Sequence, residues 1–181
     1  MITVPSVAAL VEAFDDGDDG AARKSRELIL MLLRHSTDPF SRDQFAPGHI
    51  TCTGLVVDPS GERVLLVHHR RLDRWLLPGG HVEPEDAEVW GTARREVIEE
   101  TGAVLADEGV PTLVNVDVHG IPAKGREPYH QHHDLVFRFR ARDCEVAISH
   151  ESRDIAWTAP SEFDRYRLPD NVRRSCSHLL R

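Results

Sequence analysis

Three glutamates, Glu96, Glu99 and Glu100, stand at positions i, i+3 and i+4. On a helix this spacing gathers them on one face, with Cβ atoms about 5–6 Å apart. Like charges so placed weaken a helix by roughly a few tenths of a kcal/mol per pair, so a partner must offset them. Clustered carboxylate oxygens suit hard divalent cations such as Mg²⁺ or Mn²⁺. The plainer reading is a solvated acidic face, partly paired with Arg94 and Arg95. The context favours the cation. Pro78-Gly79-Gly80 precedes the segment and lets backbone approach a ligand closely. A Gly-rich turn, a loop and then a carboxylate-bearing helix make a cradle for metal and phosphate.

Other residues could contact a substrate. His68-His69-Arg70-Arg71 with Arg74 forms the main local basic patch, either a phosphate attractor or a solvated hairpin end. Lys124 and Arg126 lie in a loop, Gly120 to Pro128, long enough to reach a substrate. Of the 11 histidines, His130, His132 and His133 are the densest, beside Asp134. On a strand His130 and His132 share a face and His133 takes the other. One of them, with His132 as the candidate, contacts substrate or metal, or all are ordinary hydrogen-bonded histidines at a strand end. These histidines also suit zinc, but no cysteine pair completes a structural zinc pattern. Trp75, Tyr129 and Phe45 could stack on a base or simply pack. Cys52 and Cys144 read as buried small apolar residues.

The elements that must position these groups follow from periodicity. Asp86 to Thr101 reads as one helix, with Asp86 as N-cap and Gly102 at the C′ position. Its Val89, Ala93 and Val97 line an apolar face for a sheet. Thr51–Val57, Val64–His68, Trp75–Leu77, Leu113–Val118, Asp134–Arg140 and Ile155–Trp157 read as strands. Pro160–Phe163 is a helical turn, and Asn171–Leu180 a closing helix capped by Asp170. Before Gly48 the pattern is helical. One helix carries Val7, Leu10, Val11 and Phe14, capped by Ser6. A second, Ala21–Arg34, carries Leu28, Ile29, Leu32 and Leu33. The acidic stretch Asp15–Gly20 between them lacks the ligand spacing of an EF-hand and reads as a solvated turn. The expected fold is α/β of the α+β kind, a mixed sheet between helices, with residues 1–47 as a helical extension and 48–181 as the catalytic domain.

The 181 residues carry a net charge of −8, with 40% apolar and 29% charged residues. That composition excludes general disorder and a nucleic-acid-coating protein, which needs a basic footprint. Three scattered cysteines are no disulfide framework. With neither a secretory leader nor an apolar run long enough for a membrane, a cytoplasmic protein is expected.

The segment Gly80 to Ala103 resembles the signature of the Nudix hydrolases (MutT-like). Gly80 opens it, and Arg95-Glu96-Val97-Ile98-Glu99-Glu100-Thr101-Gly102-Ala103 closes it. The middle departs from the pattern. Asp86 stands where the family has Glu, and eight residues separate it from Arg95, not seven, which reads as a one-residue insertion. The likeness extends over roughly Gly48 to Phe163. It implies a Nudix-type fold and metal-dependent hydrolysis of a nucleoside diphosphate linked to another group. By the same resemblance Glu99 and Glu100 are the principal Mg²⁺ (or Mn²⁺) ligands, with Glu96 close by and the Gly79 carbonyl as a further ligand. Arg95 orients the carboxylates. A distal glutamate completes the site, with Glu151 as candidate and Glu145 and Glu127 as alternatives. Two other readings share the fold: a catalytically silent nucleotide-binding regulator, which would lack one of the three glutamates, and a prenyl-diphosphate isomerase, which needs a reactive cysteine such as Cys52. The N-terminal apolar stripes must be covered, by their own sheet or by a second copy, and a homodimer is the preferred expectation.

Overall fold

The computed structural model describes residues 1–106 and 109–177. Two helices, α1 (Val4–Glu12) and α2 (Gly20–His35), lead into β1 (His49–Val57), β2 (Val64–His69), β3 (Arg74–Leu76) and β4 (Gly79–His81). Helix α3 (Val89–Thr101) follows, then β5 (Leu113–Ile121), β6 (His130–Arg140) and β7 (Ser152–Thr158). A 3₁₀ turn, Pro160–Glu162, precedes α4 (Asp170–Cys176).

The sheet is mixed, in the order β3-β2-β1-β6-β5, with β7 on β2 and β4 on β1. β1 runs parallel to β6, with His49 opposite His132 and Thr51 opposite Asp134. Its other edge meets β2 at Val57↔Val64 and β4 at Thr51↔His81 and Thr53↔Gly79. Alternation along β1 divides the core. Ile50, Cys52 and Val56 pack with Leu135, Phe137 and Val116 against residues of α1, α2 and α3. Leu55 and Val57 pack with Val136 against Leu168, Val172 and Cys176 on the other face. Gly54 lets α3 lie close to β1, because a Cβ there would stand 2.2 Å from Val97 Cγ2.

The apolar stripes of the N-terminal helices are covered within the chain: Val7, Val11, Ile29, Leu32 and Leu33 are buried in the first of these clusters. The acidic stretch supplies a turn and a cap. Asp19 Oδ1 accepts from the Ala21 and Ala22 amides at 2.9 and 3.1 Å, and Asp16 pairs with Arg23 at 3.3 Å.

Four local expectations are corrected. α1 is capped by Thr3, with Ser6 completing the box one turn in. Pro5 suits the first turn, where its missing N–H costs nothing, so the helix starts earlier. α3 begins at Val89 rather than Asp86. The Asp86 carboxylate is drawn to the side of the helix by Thr92 Oγ1 and Arg95 instead of capping its end. α4 follows Pro169 at the N-cap position, with Asp170 already inside the helix, and residues 178–180 of the expected closing helix lie outside the described residues. Cys144 is exposed, beyond the end of β6, with Arg63 Nη2 at 3.3 Å from its sulfur, whereas Cys52 is buried as expected. Gly102 closes α3 in the left-handed region, φ 63°. Among the described residues no helix is long and apolar enough to cross a membrane.

Candidate active site

The Pro78-Gly79-Gly80 segment is more than a turn. Gly79 and Gly80 are strand residues, paired with Thr53 and Cys52 of β1. A Cβ on Gly79 would stand 2.7 Å from the Cys52 carbonyl, and one on Gly80 would stand 2.5 Å from the Glu96 carboxyl carbon. Close approach, not an unusual φ, is what excludes side chains here. β4 is thereby wedged between β1 and the acidic face of α3.

Arg95 organises that face. Its Nη1 donates to Glu96 Oε1 at 2.9 Å and to Glu99 Oε2 at 3.1 Å. Its Nη2 donates to Asp86 Oδ2 at 3.0 Å and to the His81 carbonyl at 2.9 Å. Asp86 also accepts from the Glu83 amide and the Thr92 hydroxyl. Burial opposes the charge on Asp86, but these donors, Arg95 first, hold its carboxyl below the usual range. The shorter Asp side chain, with one extra residue before Arg95, still reaches the guanidinium. The sequence reading takes Asp86 for a helix cap and misses its pairing with Arg95; its place near the middle of the signature is the available signal.

Glu100 is the least neutralised member. It is 5% exposed, and its Oε2 has no hydrogen-bond partner among the described residues. Burial first, then the charges of Glu96 and Glu151, push its carboxyl up to about 8, against the pull of the Gly79 N–H. Burial also raises Glu96, with Arg95 opposing. Glu99 is more than half exposed. These three carboxylates line a cavity of about 590 Å³ together with Gly79, Gly80, Arg95 and Glu151. Glu127 is instead ion-paired with Arg71, and Glu145 does not line the cavity.

Arg42, Arg70, Arg71 and Lys124 contribute cationic side chains to the same cavity. Arg70 is partly engaged, donating to the carbonyls of His150 at 3.1 Å and Ser152 at 3.0 Å. Arg74 is exposed on β3 and does not line the cavity, nor does Arg126. Neither do the three candidate aromatics. Trp75 stacks on His68 at 5.1 Å, Phe45 meets the His130 ring edge-on at 5.2 Å, and Tyr129 is exposed.

His132 does line the cavity, as do His81, His119 and Asp134. Asp134 is buried and accepts from the Thr51 and Thr53 hydroxyls at 3.0 and 2.9 Å. His119 is bonded to Asp117, which also takes Arg174 at 2.9 Å. The His132 ring has His49, His81, His119 and His130 around it, with centroids 5.0, 5.2, 5.7 and 5.1 Å away. His49 and His81 escaped the sequence reading because only strand pairing, β1 with β6 and β1 with β4, brings them to His132. Burial first, then the neighbouring His49, lowers His81 to about 4. Burial and the same crowding lower His132 as well.

Comparison with known proteins identifies the family and the fold. The NUDIX domain family matches residues 47–178. A MutT-like protein of Streptomyces ambofaciens is 30% identical over 113 residues, which cover 62% of this chain and 65% of that relative, so the chain spans just under two-thirds of its length. Among solved structures, a hydrolase of the NUDIX family from Clostridium perfringens superposes with a TM-score of 0.53 at 20% identity, over 73% of this chain and 95% of that one. A bifunctional NMN adenylyltransferase/ADP ribose pyrophosphatase from Francisella tularensis, complexed with AMP and a Mn ion, gives 0.53 at 21% identity, over 87% and 47%. At these identities the two structures show the fold.

Proposed function

The chain belongs to the Nudix family, and from that premise we propose that it is a metal-dependent hydrolase cleaving the diphosphate of a nucleoside diphosphate linked to another group. The observation that carries the reading is the cluster of Glu96, Glu99 and Glu100 beside Gly79 in one cavity, with Glu100 Oε2 buried and unpartnered among the described residues. A hard cation bound there would satisfy that oxygen and offset the burial, and the neighbouring charges, that raise Glu100 and Glu96. Glu96, Glu99, Glu100 and the Gly79 carbonyl would hold Mg²⁺ or Mn²⁺. A divalent ion bound there supplies neutralisation of the diphosphate and acidifies a nearby water.

The chain's own residues do the rest. Arg95 fixes the Glu96 and Glu99 carboxylates, so little reorganisation is left for the reaction. Glu151, exposed to the same cavity, is the candidate to take the proton of the attacking water. Arg42, Arg70 and Lys124 offer charge to the diphosphate or its appended group, and His132 offers a neutral ring. The cavity has the volume of a small-molecule site. Binding of AMP and Mn by the Francisella protein supports a nucleotide substrate. The free cysteines support a reducing, cytoplasmic setting.

A silent regulator is disfavoured because all three glutamates are present and held in place. An isomerase is disfavoured because Cys52 is fully buried in the core and its thiol is pushed up, by burial first. The test is product analysis on a panel of nucleoside triphosphates, dinucleoside polyphosphates and nucleotide sugars, with Mg²⁺ or with chelator. Cleavage at a diphosphate linkage that stops on chelation is expected. Cleavage that continues in chelator, or none across the panel, would overturn the proposal.

A further inference from the structure

We propose that His49, His81 and His132 form a second cation site, for a borderline divalent ion of the Zn²⁺ class, distinct from the carboxylates of α3. Each histidine offers one ring nitrogen, and the three nitrogens lie within 4.8 Å of one another. They come from three adjacent strands: His49 stands opposite His132 across the β1–β6 pairing, and β4 carries His81 against β1. Rigid strands, not loops, set the geometry.

His49 supplies the sharpest observation. It is fully buried, and its Nδ1 lies 3.1 Å from the Gln44 carbonyl. A carbonyl only accepts, so Nδ1 carries the proton and Nε2 carries the lone pair. That Nε2 is buried and has no hydrogen-bond partner among the described residues. A buried acceptor left unpaired is costly to the fold. Anchoring the far ring nitrogen on a backbone carbonyl is how metal-ligating histidines are commonly oriented. His130 has the same anchor, Nδ1 against the Pro128 carbonyl at 2.9 Å, and its Nε2 stands 3.2 Å from His132 Nε2. It is placed to steer His132.

The donor set decides the ion. Three imidazoles with no carboxylate among them favour Zn²⁺ and its transition-metal neighbours over Mg²⁺, which prefers oxygen. At a Zn–N bond of about 2.0–2.1 Å, tetrahedral ligands stand about 3.4 Å apart, so modest inward rotation of the rings closes the site. His81 and His132 line the cavity, so an ion that they hold would stand at its wall. An ion there has room for an oxygen of water or of an anionic ligand.

The test uses the full chain, stripped of metal and then held in excess Mg²⁺ so that the α3 carboxylates are occupied. Titrated Co²⁺ should bind at one equivalent, give the visible absorption of a nitrogen-ligated ion, yield to Zn²⁺ and raise the melting temperature. His132→Gln and His81→Gln, both only half-buried positions, should weaken binding by more than the roughly 10–100-fold that loss of an orienting partner costs. Glu99→Gln should leave it intact. Absence of saturable Co²⁺ binding, binding unchanged in both histidine variants, or binding lost in Glu99→Gln would each overturn the proposal. Should either histidine variant fail to fold, imidazole ¹⁵N spectra of the wild type decide: Zn²⁺ must shift ring signals, and unmoved rings contradict the site.

Discussion

Glu100 is a buried carboxylate whose Oε2 has no partner among the described residues, and that makes it costly to the fold when no cation is bound. Glu100→Gln keeps the shape and removes the charge. In metal-free protein near pH 9, where the wild-type carboxyl is ionised, the variant should melt higher than wild type. Added Mg²⁺ should raise the wild-type melting temperature and leave the variant nearly unmoved. Equal metal-dependent shifts in both proteins would place the cation elsewhere. The three glutamates were legible because helical spacing is local: residues three and four apart must share a face. Asp86 and His49 were not. The first acts by reaching across a loop to Arg95, and the second gains its neighbours only through strand pairing with β6 and β4.

β4 is a three-residue strand whose sequence reads as a turn, because Pro78 and two glycines are turn formers in isolation. Pairing with β1 overrides that preference, and the glycines serve close approach instead. The two positions should therefore fail differently. Gly79→Val meets the Thr53 and Cys52 backbone and should lower the melting temperature as well as activity. Gly80→Ala meets the end of a flexible side chain, Glu96, and should leave the fold cooperative while activity falls. Thermal melts and turnover of both variants check this; a fully active Gly80→Ala would mean that the Glu96 position is not critical. The β1–β2 turn offers a pH test. Burial disfavours the Asp58 charge, but hydrogen bonds from Arg63, Ser60 and the Glu62 amide outweigh it and hold the carboxyl low. A lowered folded-state value means that this stability is present above the ordinary carboxylate range and is lost as pH falls through the folded value. Asp58→Asn should cost about 1–3 kcal/mol near neutrality and less in acid. A constant difference from pH 7 to pH 3 would contradict the assignment.

The division at residue 47 follows a real change of periodicity, yet the helices before it bury their stripes in the same core as β1, β5 and β6. Val7, Val11, Ile29, Leu32 and Leu33 together contribute roughly 8–15 kcal/mol of burial. That is comparable with the whole net stability of a domain. A chain beginning at Phe45 should thus lose cooperative unfolding or solubility, and a soluble truncation with an unchanged melt would contradict this. The same covering removes the argument for a homodimer that the stripes first offered. Helical periodicity showed that these faces are buried; it carries no information on which surface covers them.

The central claim is that the α3 carboxylates hold the cation that makes diphosphate cleavage fast. It is tested most directly by the turnover of Glu100→Gln against wild type in saturating Mg²⁺, on the substrate found in the panel and with folded variant. The account predicts a fall of about 10²–10³-fold, the scale of a lost electrostatic contributor. Turnover within about twofold of wild type would contradict it.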